Sequence, residues 1–161
     1  MSVRMNCSCL IIFSLVLEVF SHLEGCHVGW THFQDKCYFF SHTTASWFDA
    51  GEACTQFHSK LAEPRIVTES NFLKSQSQFL NVNMWIGISD IIKEDRWEFS
   101  STQEVVKNTE FGPGEPNACT AENCVALWKD FHGMWVDLAC TERLNFICEA
   151  DAVSDFGALI G

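Results

Sequence analysis

Residues 111–137 read FGPGEPNACTAENCVALWKDFHGMWVD, a turn-rich segment followed by two short apolar runs. VALW at residues 125–128 and MWV at residues 134–136 are β-branched and aromatic, which is typical of strands. The turn-rich part ends a longer segment, residues 100–123, that contains several glycines and prolines and little apolar periodicity. A loop of that length in a compact domain is usually functional or disordered.

Further short runs on both sides of this stretch predict more strands. They are CYFFS at residues 37–41, WIGI at residues 85–88, WEF at residues 97–99 and FIC at residues 146–148. Polar turn residues separate most of them, as expected where short strands alternate with turns.

Two amphipathic helices are predicted between the first strand and the others. Apolar side chains recur at three- and four-residue spacing in one helix that Ser46 caps and Pro64 ends; they are Trp47, Ala50, Cys54, Phe57 and Leu61. A second helix begins at Thr68, and its inward side chains are expected to be Phe72, Leu73, Phe79 and Leu80. Helices followed by short strands indicate an α+β fold.

Length and charge restrict the class of protein. The chain has 161 residues and shows no linker or internal repeat, so we expect one domain over residues 26–149 and a short flexible tail over residues 150–161. Its net charge is −11, and its ten Lys and Arg residues are scattered singly. Because nucleic-acid binding requires clustered basic residues, nucleic acid is excluded as a partner.

The N-terminus predicts export from the cell. Arg4 precedes the apolar run LIIFSLVL at residues 10–17, and small or polar residues follow it. This pattern indicates a signal peptide over residues 1–25, cleaved near residues 21–25. The run is shorter than the roughly 20 residues that span a bilayer, so we expect no membrane span and a secreted protein.

Cleavage would leave seven cysteines, an odd number. In an oxidising compartment most of them should be paired, and one is left free, joined to another chain or bound to something else. The histidines are scattered and no C-x₂-C pair with downstream histidines occurs, which argues against a zinc site.

Four oxygen-bearing side chains of the quoted region suit Ca²⁺: Glu115, Asn117, Glu122 and Asp137. Calcium takes six to eight hard oxygen ligands. A cis bond at Pro116 would turn Glu115 and Asn117 to the same side, and a disulfide near Glu122 would hold it in place. By itself, an E-P-N triplet is more often just a solvated turn, since Pro and Asn are ordinary turn formers.

The combined order of motifs resembles the C-type lectin family. It runs through Cys54, Trp85-Ile86-Gly87, Glu115-Pro116-Asn117, Cys124, Trp135, Cys140 and Cys148. The resemblance covers residues 26–149. The opening GWTHFQDKCYFFS at residues 29–41 and LAEP at residues 61–64 are also similar to secreted invertebrate lectins of the mollusc perlucin and codakine type.

The resemblance implies the long form of the C-type lectin fold, with two helices, small antiparallel sheets and a long loop for Ca²⁺ and sugar. It implies three disulfides: Cys26–Cys37, Cys54–Cys148 and Cys124–Cys140. Each should contribute about 2–4 kcal/mol. Cys119 is then left over, as a free thiol or a bridge in a disulfide-linked homodimer.

The resemblance also implies a function. In the family, E-P-N marks Ca²⁺-dependent binding of mannose-, glucose- and N-acetylglucosamine-type glycans, where two sugar hydroxyls bind the cation and its ligands. Glu115, Asn117, Glu122 and Asp137 match those ligands. Such lectins recognise glycans in innate defence and are not enzymes, and nothing in this sequence places a catalytic triad.

One position departs from the family pattern. Its Trp-Asn-Asp motif reads Trp135-Val136-Asp137 here, so Val136 replaces an Asn that would bind Ca²⁺ and donate to the sugar. Valine can do neither. Two readings stay open: a lectin with a weakened site, or a lectin-like domain with a degenerate site that binds a protein or mineral surface.

Overall fold

The computed structural model describes residues 25–117 and 119–152. The predicted signal peptide, apart from Gly25, and the tail from residue 153 lie outside the described residues. Within them, no helix has both the length and the apolarity that crossing a membrane requires.

The described chain forms an α+β fold, as predicted. Its strands are β1 (Thr31–Phe33), β2 (Lys36–Phe40), β3 (Lys60–Leu61), β4 (Met84–Ser89), β5 (Glu98–Phe99), β6 (Cys124–Trp128), β7 (Met134–Leu138) and β8 (Asn145–Asp151). Its helices are α1 (Trp47–Gln56) and α2 (Val67–Leu80). The strands β1 and β3 were not predicted; β3 was missed because Leu61 fits the helical spacing of α1.

All eight strands join one sheet, with the order β1-β2-β8-β4-β6-β7 and with β3 on β8 and β5 on β4. The last strand therefore lies inside the sheet. The pairs are antiparallel except β4 with β8, where Met84 faces Asn145 and Trp85 faces Phe146 in parallel. The sheet is thus mixed, and this short parallel pair differs from the purely antiparallel sheets that we expected.

The helix α1 begins where the sequence predicts and ends earlier. Ser46 caps it by accepting a hydrogen bond from Asp49 N at 3.2 Å. The helix stops at Gln56 because the chain turns at Phe57 and His58, where His58 has a φ of 53°. Leu61 consequently lies in β3, opposite Cys148, and not on the helix.

The helix α2 buries only the first half of its predicted face. Leu73 is buried and Phe72 packs against the core, as predicted. Phe79 is 82% exposed and Leu80 is also exposed, so the prediction that both point inward was wrong. The other buried residues are Glu69, Ser70 and Ser77, and the carboxylate of Glu69 pairs with Lys36 of the sheet.

Most tryptophans of the strands and of the residues next to them lie in the core. Trp85, Trp97 and Trp135 are buried, whereas Trp128 is half-buried. Gly87 follows Trp85 in β4, and a Cβ there would lie 2.9 Å from Leu61 O. The close approach of β4 to β3 therefore requires glycine at this position.

Three disulfides link the elements, in the pairing that the resemblance implies: Cys26–Cys37, Cys54–Cys148 and Cys124–Cys140. The second joins α1 to β8 and encloses 94 residues. The third joins β6 to the turn after β7 and fixes the base of the loop that carries the predicted site. Ala150 and Asp151 pair with β2 in the sheet, so the expected tail begins beyond them.

Buried carboxylates tie the helices to the sheet. Glu69 accepts hydrogen bonds from Lys36 Nζ at 2.5 Å, from Tyr38 Oη and from Arg65 N at 2.7 Å. Burial alone would lower the pKa of Lys36, but the charges of Glu149 and Glu69 outweigh it and raise that pKa. The ammonium therefore stays charged within this network.

Glu63 and Glu149 form the other part of the same network. Glu63 is fully buried and accepts from Lys60 Nζ at 2.5 Å and from Ser101 N at 2.7 Å. Burial would raise the pKa of Glu63, but the bonds from Lys60 and Ser101 lower it overall. Glu149 accepts from Glu63 N at 2.9 Å and lies 3.4 Å from Lys36 Nζ.

Candidate functional site

The predicted long loop is present between β5 and β6. Within its described part, the regular elements are the short 3₁₀-helix Cys119–Ala121 and isolated bridges such as Phe111 with Trp135. Phe111 packs edge-on against Trp97 and Trp135, with ring centroids 4.9 and 5.7 Å apart. Phe111 therefore packs against the core and anchors the loop to β7.

Glu115 and Asn117 lie together at the turn of this loop. The Glu115–Pro116 peptide bond is cis. Asn117 Nδ2 donates to Glu115 Oε2 at 2.5 Å, so the two side chains face one another. This is the arrangement that a cis bond at Pro116 was expected to give.

Asp137 reaches the same place from the sheet. It lies in β7 opposite Val125 and is 1% exposed. Its Oδ1 is buried and has no hydrogen-bond partner among residues 25–117 and 119–152. Because a buried charge without a partner is costly, this oxygen favours a bound cation.

The carboxyl groups of Glu115 and Asp137 lie close together. Partial burial raises the pKa of Glu115, and its interactions with Asp137 and the charge of Glu122 raise it further. A divalent cation between the two carboxyl groups would relieve their mutual repulsion.

Glu122 lies at the edge of the group. Burial and the charges of Asp137 and Glu142 raise its pKa. It precedes Asn123 and the disulfide-bonded Cys124, so its backbone is held near the start of β6. Glu122 contributes to the negative field around Glu115 and Asp137.

The described residues do not form a finished metal centre. Among them, no three His, Cys, Asp or Glu side chains are arranged to hold a metal ion. That Glu115, Asn117, Glu122 and Asp137 hold one cation together stays a prediction. Val136 is 6% exposed and pairs with Ala126, so its methyl groups are packed in the sheet.

The donor set nevertheless fits calcium in its chemistry. The carboxylate oxygens of Glu115 and Asp137 and the amide oxygen of Asn117 are hard oxygen ligands, the type that Ca²⁺ takes. Lys, Arg and His form no ion pair with Glu115, Glu122 or Asp137 within the described chain.

Asp90 is a further member of this region that the sequence analysis missed. It follows β4, is almost fully buried, and its Oδ1 also lacks a partner within residues 25–117 and 119–152. Its pKa is raised by burial and, in part, by the charge of Asp137. A carboxylate directly after a buried strand, followed by Glu94 and Asp95, was the available signal.

Comparisons with known proteins agree with this architecture. The family described as the Lectin C-type domain matches residues 43–150. CD209 antigen-like protein 2 of Macaca mulatta is 33% identical over 132 residues, which are 80% of this chain and 50% of that protein. The human CD209 antigen is 32% identical over 132 residues, 80% of this chain and 32% of that protein. The chain thus spans half or less of the length of these relatives.

Solved structures are similar over most of the described chain. The mouse scavenger receptor C-type lectin carbohydrate-recognition domain is 30% identical, with a TM-score of 0.74 over 80% of this chain and 98% of that one. The cow CD23 domain, solved in the presence of a GlcNAc2Man3 oligosaccharide, is 30% identical, with a TM-score of 0.72 over 80% and 98%. A calcium-independent type II antifreeze protein has a TM-score of 0.71 over 80% and 96% at 23% identity, which is a likeness of fold alone. The chain therefore belongs to the C-type lectin domain family, a non-enzymatic carbohydrate-recognition fold.

Proposed function

We propose that this protein is a secreted, Ca²⁺-dependent lectin that binds mannose-, glucose- or N-acetylglucosamine-type glycans, in innate defence. The observation that carries the proposal is the buried, unpartnered carboxylate oxygen of Asp137, close to Glu115, which is itself hydrogen-bonded to Asn117. Carboxylates held this close without a basic partner are unfavourable unless a cation neutralises them.

The side chains would have different roles in binding the cation and the sugar. Glu115 and Asp137 carry most of the attraction for the cation, and Glu122 adds to the field. A bound Ca²⁺ would supply the positive charge that binds sugar hydroxyls. Asn117 can donate to a sugar oxygen while Glu115 accepts from a sugar hydroxyl, and such charge-assisted bonds discriminate hydroxyl orientation.

Val136 weakens this site without abolishing it. It supplies neither an oxygen to the cation nor an N–H to the sugar. We expect Val136→Asn to strengthen sugar binding by about ten-fold, since a hydrogen bond to a charged group contributes roughly 1.5–3 kcal/mol. Val136→Thr is the matched control, because it adds a hydroxyl of similar volume but no amide.

Calorimetric titration of mannose into the three forms at saturating Ca²⁺ tests the proposal, with galactose and EDTA as negative conditions. Binding by wild type that EDTA abolishes, and that Val136→Asn but not Val136→Thr strengthens, supports it. Equal heats for mannose and galactose would contradict the E-P-N assignment, and no heat from any form would contradict the lectin proposal.

A second candidate function is binding of a protein or mineral surface without sugar. Buried Val136 and the lack of three convergent metal-binding side chains in the described part favour it. This candidate predicts no calcium-dependent signal on a glycan array and no effect of Val136→Asn. Signals on mannose-type glycans that EDTA removes would exclude it.

We also propose that Cys119 links two copies of the chain. The other six cysteines downstream of residue 25 form three disulfides, which leaves this one over. A single sugar site in a shallow surface binds weakly, and two linked sites would gain avidity. Non-reducing electrophoresis should show a dimer that Cys119→Ser and reduction both convert to monomer, and a wild-type monomer under both conditions would contradict the proposal.

A further inference from the structure

The ring of Phe131 lies against a glycine of the long loop. Phe131 is half-buried and ends the short 3₁₀-helix Lys129–Phe131, which connects β6 to β7. A Cβ at Gly112 would lie 2.7 Å from Phe131 Cδ2 and 3.3 Å from its Cγ, so even a methyl group would overlap the ring. The φ of Gly112 lies outside the left-handed region. The contact with Phe131, and not the backbone conformation, therefore requires glycine at this position.

The turn that carries Phe131 is held against α2. Lys129 N donates to Asn83 Oδ1, just beyond the end of the helix, at 3.0 Å. Gly133, two residues after Phe131, packs directly on the helix backbone, since a Cβ there would lie 2.7 Å from Lys74 Cα. Contacts on both sides of Phe131 therefore fix the backbone that presents its ring to the loop.

Gly112 is connected to both carboxylates of the candidate site. Its carbonyl oxygen accepts a hydrogen bond from Glu115 N at 3.1 Å, and its N–H donates to Trp135 O at 2.8 Å. Trp135 and Asp137 are two residues apart in β7, so their side chains lie on the same face of the sheet. Gly112 thus links the backbone of Glu115 to the strand that carries Asp137, and a displacement of Gly112 would change the distance between the two carboxyl groups.

We propose that Phe131 is a positioning residue for the cation site: its ring, packed on Gly112, holds Glu115 beside Asp137 before a cation binds. This role rests on the proposed function, in which these two carboxylates hold Ca²⁺. Phe131 itself has no oxygen to offer a cation. Its contribution is preorganisation, because ligands that are already in place lose little conformational freedom on binding and the affinity is higher.

Calorimetric titration of CaCl₂ into the full chain measures this contribution. Phe131→Ala should weaken calcium binding about three- to ten-fold, the loss expected when one or two side chains must be ordered on binding. Phe131→Leu keeps an apolar side chain against Gly112 and should show a smaller loss. It replaces the alanine variant if that variant does not fold.

Phe57→Ala is the matched control. Phe57 is 48% exposed and packs against Trp30 and against Phe39 of β2, towards the opposite edge of the sheet from β7. Its truncation should lower the free energy of unfolding, measured with urea in EDTA. It should leave the calcium affinity within about two-fold of wild type, because distant sites act independently.

Gly112→Ala tests the contact from the side of the loop. Its methyl group would overlap the ring, so this variant should lose calcium affinity to a similar extent. When Phe131→Ala is also present, the methyl group meets only the Cβ of residue 131, at the ordinary van der Waals distance of 3.5 Å. Gly112→Ala should therefore cause little further loss in the Phe131→Ala background, whereas two independent packing defects would add.

Hydrogen exchange of the Glu115 N–H, measured by nuclear magnetic resonance in EDTA, tests the positioning without calcium. This N–H donates to Gly112 O, so its exchange should be about three- to ten-fold faster in Phe131→Ala than in wild type. Loop N–H groups exchange by local opening, so Phe57→Ala should leave this rate unchanged.

Four results would overturn the proposal. They are a calcium affinity that neither Phe131 variant changes, an equal loss of affinity in Phe57→Ala, losses that simply add in the double variant, and Glu115 exchange that Phe131→Ala does not accelerate. Absence of calcium binding by wild type would contradict the proposed function instead. The exchange measurement would then still decide whether Phe131 positions Glu115.

Discussion

Two groups of three carboxylates differ in whether a basic side chain faces them. The first group comprises Glu63, Glu69 and Glu149, and each forms an ion pair with Lys36 or Lys60. The second comprises Glu115, Glu122 and Asp137, which form no ion pair with Lys, Arg or His in the part of the chain that the structure describes.

The difference shows that burial alone does not identify a binding site. Glu63 and Asp137 are both almost fully buried. Glu63 holds β3 and the turn after β5 together through Lys60 and Ser101, because its charge is neutralised within the protein. Asp137 is left with an orphaned oxygen, so its charge is available to something outside the chain.

The largest expected effect is the loss of stability when a carboxylate of the ion-paired group is removed. Glu63→Ala should lower the free energy of unfolding by about 3 kcal/mol, because it leaves Lys60 and the Ser101 N–H without their partner. Urea unfolding with calcium removed measures it. Glu122→Ala is the matched control and should change stability by about 0.5 kcal/mol or less. Equal losses in the two variants would remove the distinction between the groups.

The next largest expected effect is stabilisation by Ca²⁺, which should depend on the second group of carboxylates. At a hundred times its dissociation constant, Ca²⁺ should stabilise wild type by about 2.7 kcal/mol. Asp137→Asn should lose most of this gain, and in EDTA it should be more stable than wild type, since an unpaired buried charge is gone. Thermal unfolding with and without Ca²⁺ measures both, and the exposed Asp130→Asn should retain the gain. A calcium gain that survives in Asp137→Asn would contradict the ligand assignment.

The smallest effect is a difference in pH dependence. The pKa of Glu115 is raised in the folded state, so its contribution to stability is present below pH 4.5 and is lost as the pH rises through that raised pKa. Glu115→Gln should therefore gain a few tenths of a kcal/mol over wild type at neutral pH in EDTA, and nothing in acid.

Glu63→Gln should behave in the opposite way. The pKa of Glu63 is lowered, so its stabilisation is present above pH 4.5 and is lost as the pH falls through the folded pKa. The deficit of Glu63→Gln against wild type should then shrink in acid. Urea unfolding at several pH values compares both variants with wild type. If the stability difference from wild type changes with pH in the same direction for both variants, the two groups do not differ as described.

The sequence predicts the carboxylates without ion pairs better than the carboxylates that form ion pairs. Glu115 and Asn117 were identified because a short motif brings them together across one proline. The role of Glu69 was missed, since its partner Lys36 lies 33 residues away and Glu149 another 80 residues on. Periodicity reports only neighbours on one helix, so it favoured Phe79 and Leu80 as inward residues over a glutamate.

Other differences have the same origin in long-range contacts. Leu61 fits the helical spacing of α1, but pairing with β8 places it in β3. The orphaned oxygen of Asp90 and the packed methyl groups of Val136 depend on which strands are adjacent. Cysteine order and aromatic strands predict the fold, whereas the partners of individual polar groups emerge only from the assembled sheet.

The position of β8 has a consequence for synthesis of the chain. Lying between β2 and β4, this strand joins the two halves of the sheet, although it is the last strand to be made. Until it emerges, β2 and β4 expose hydrogen-bonding edges that other chains can pair with. We therefore expect that a nascent chain ending before residue 145 cannot complete its core and requires chaperone protection. Folding must wait for nearly the whole domain, which favours slow, all-or-none maturation over stepwise assembly.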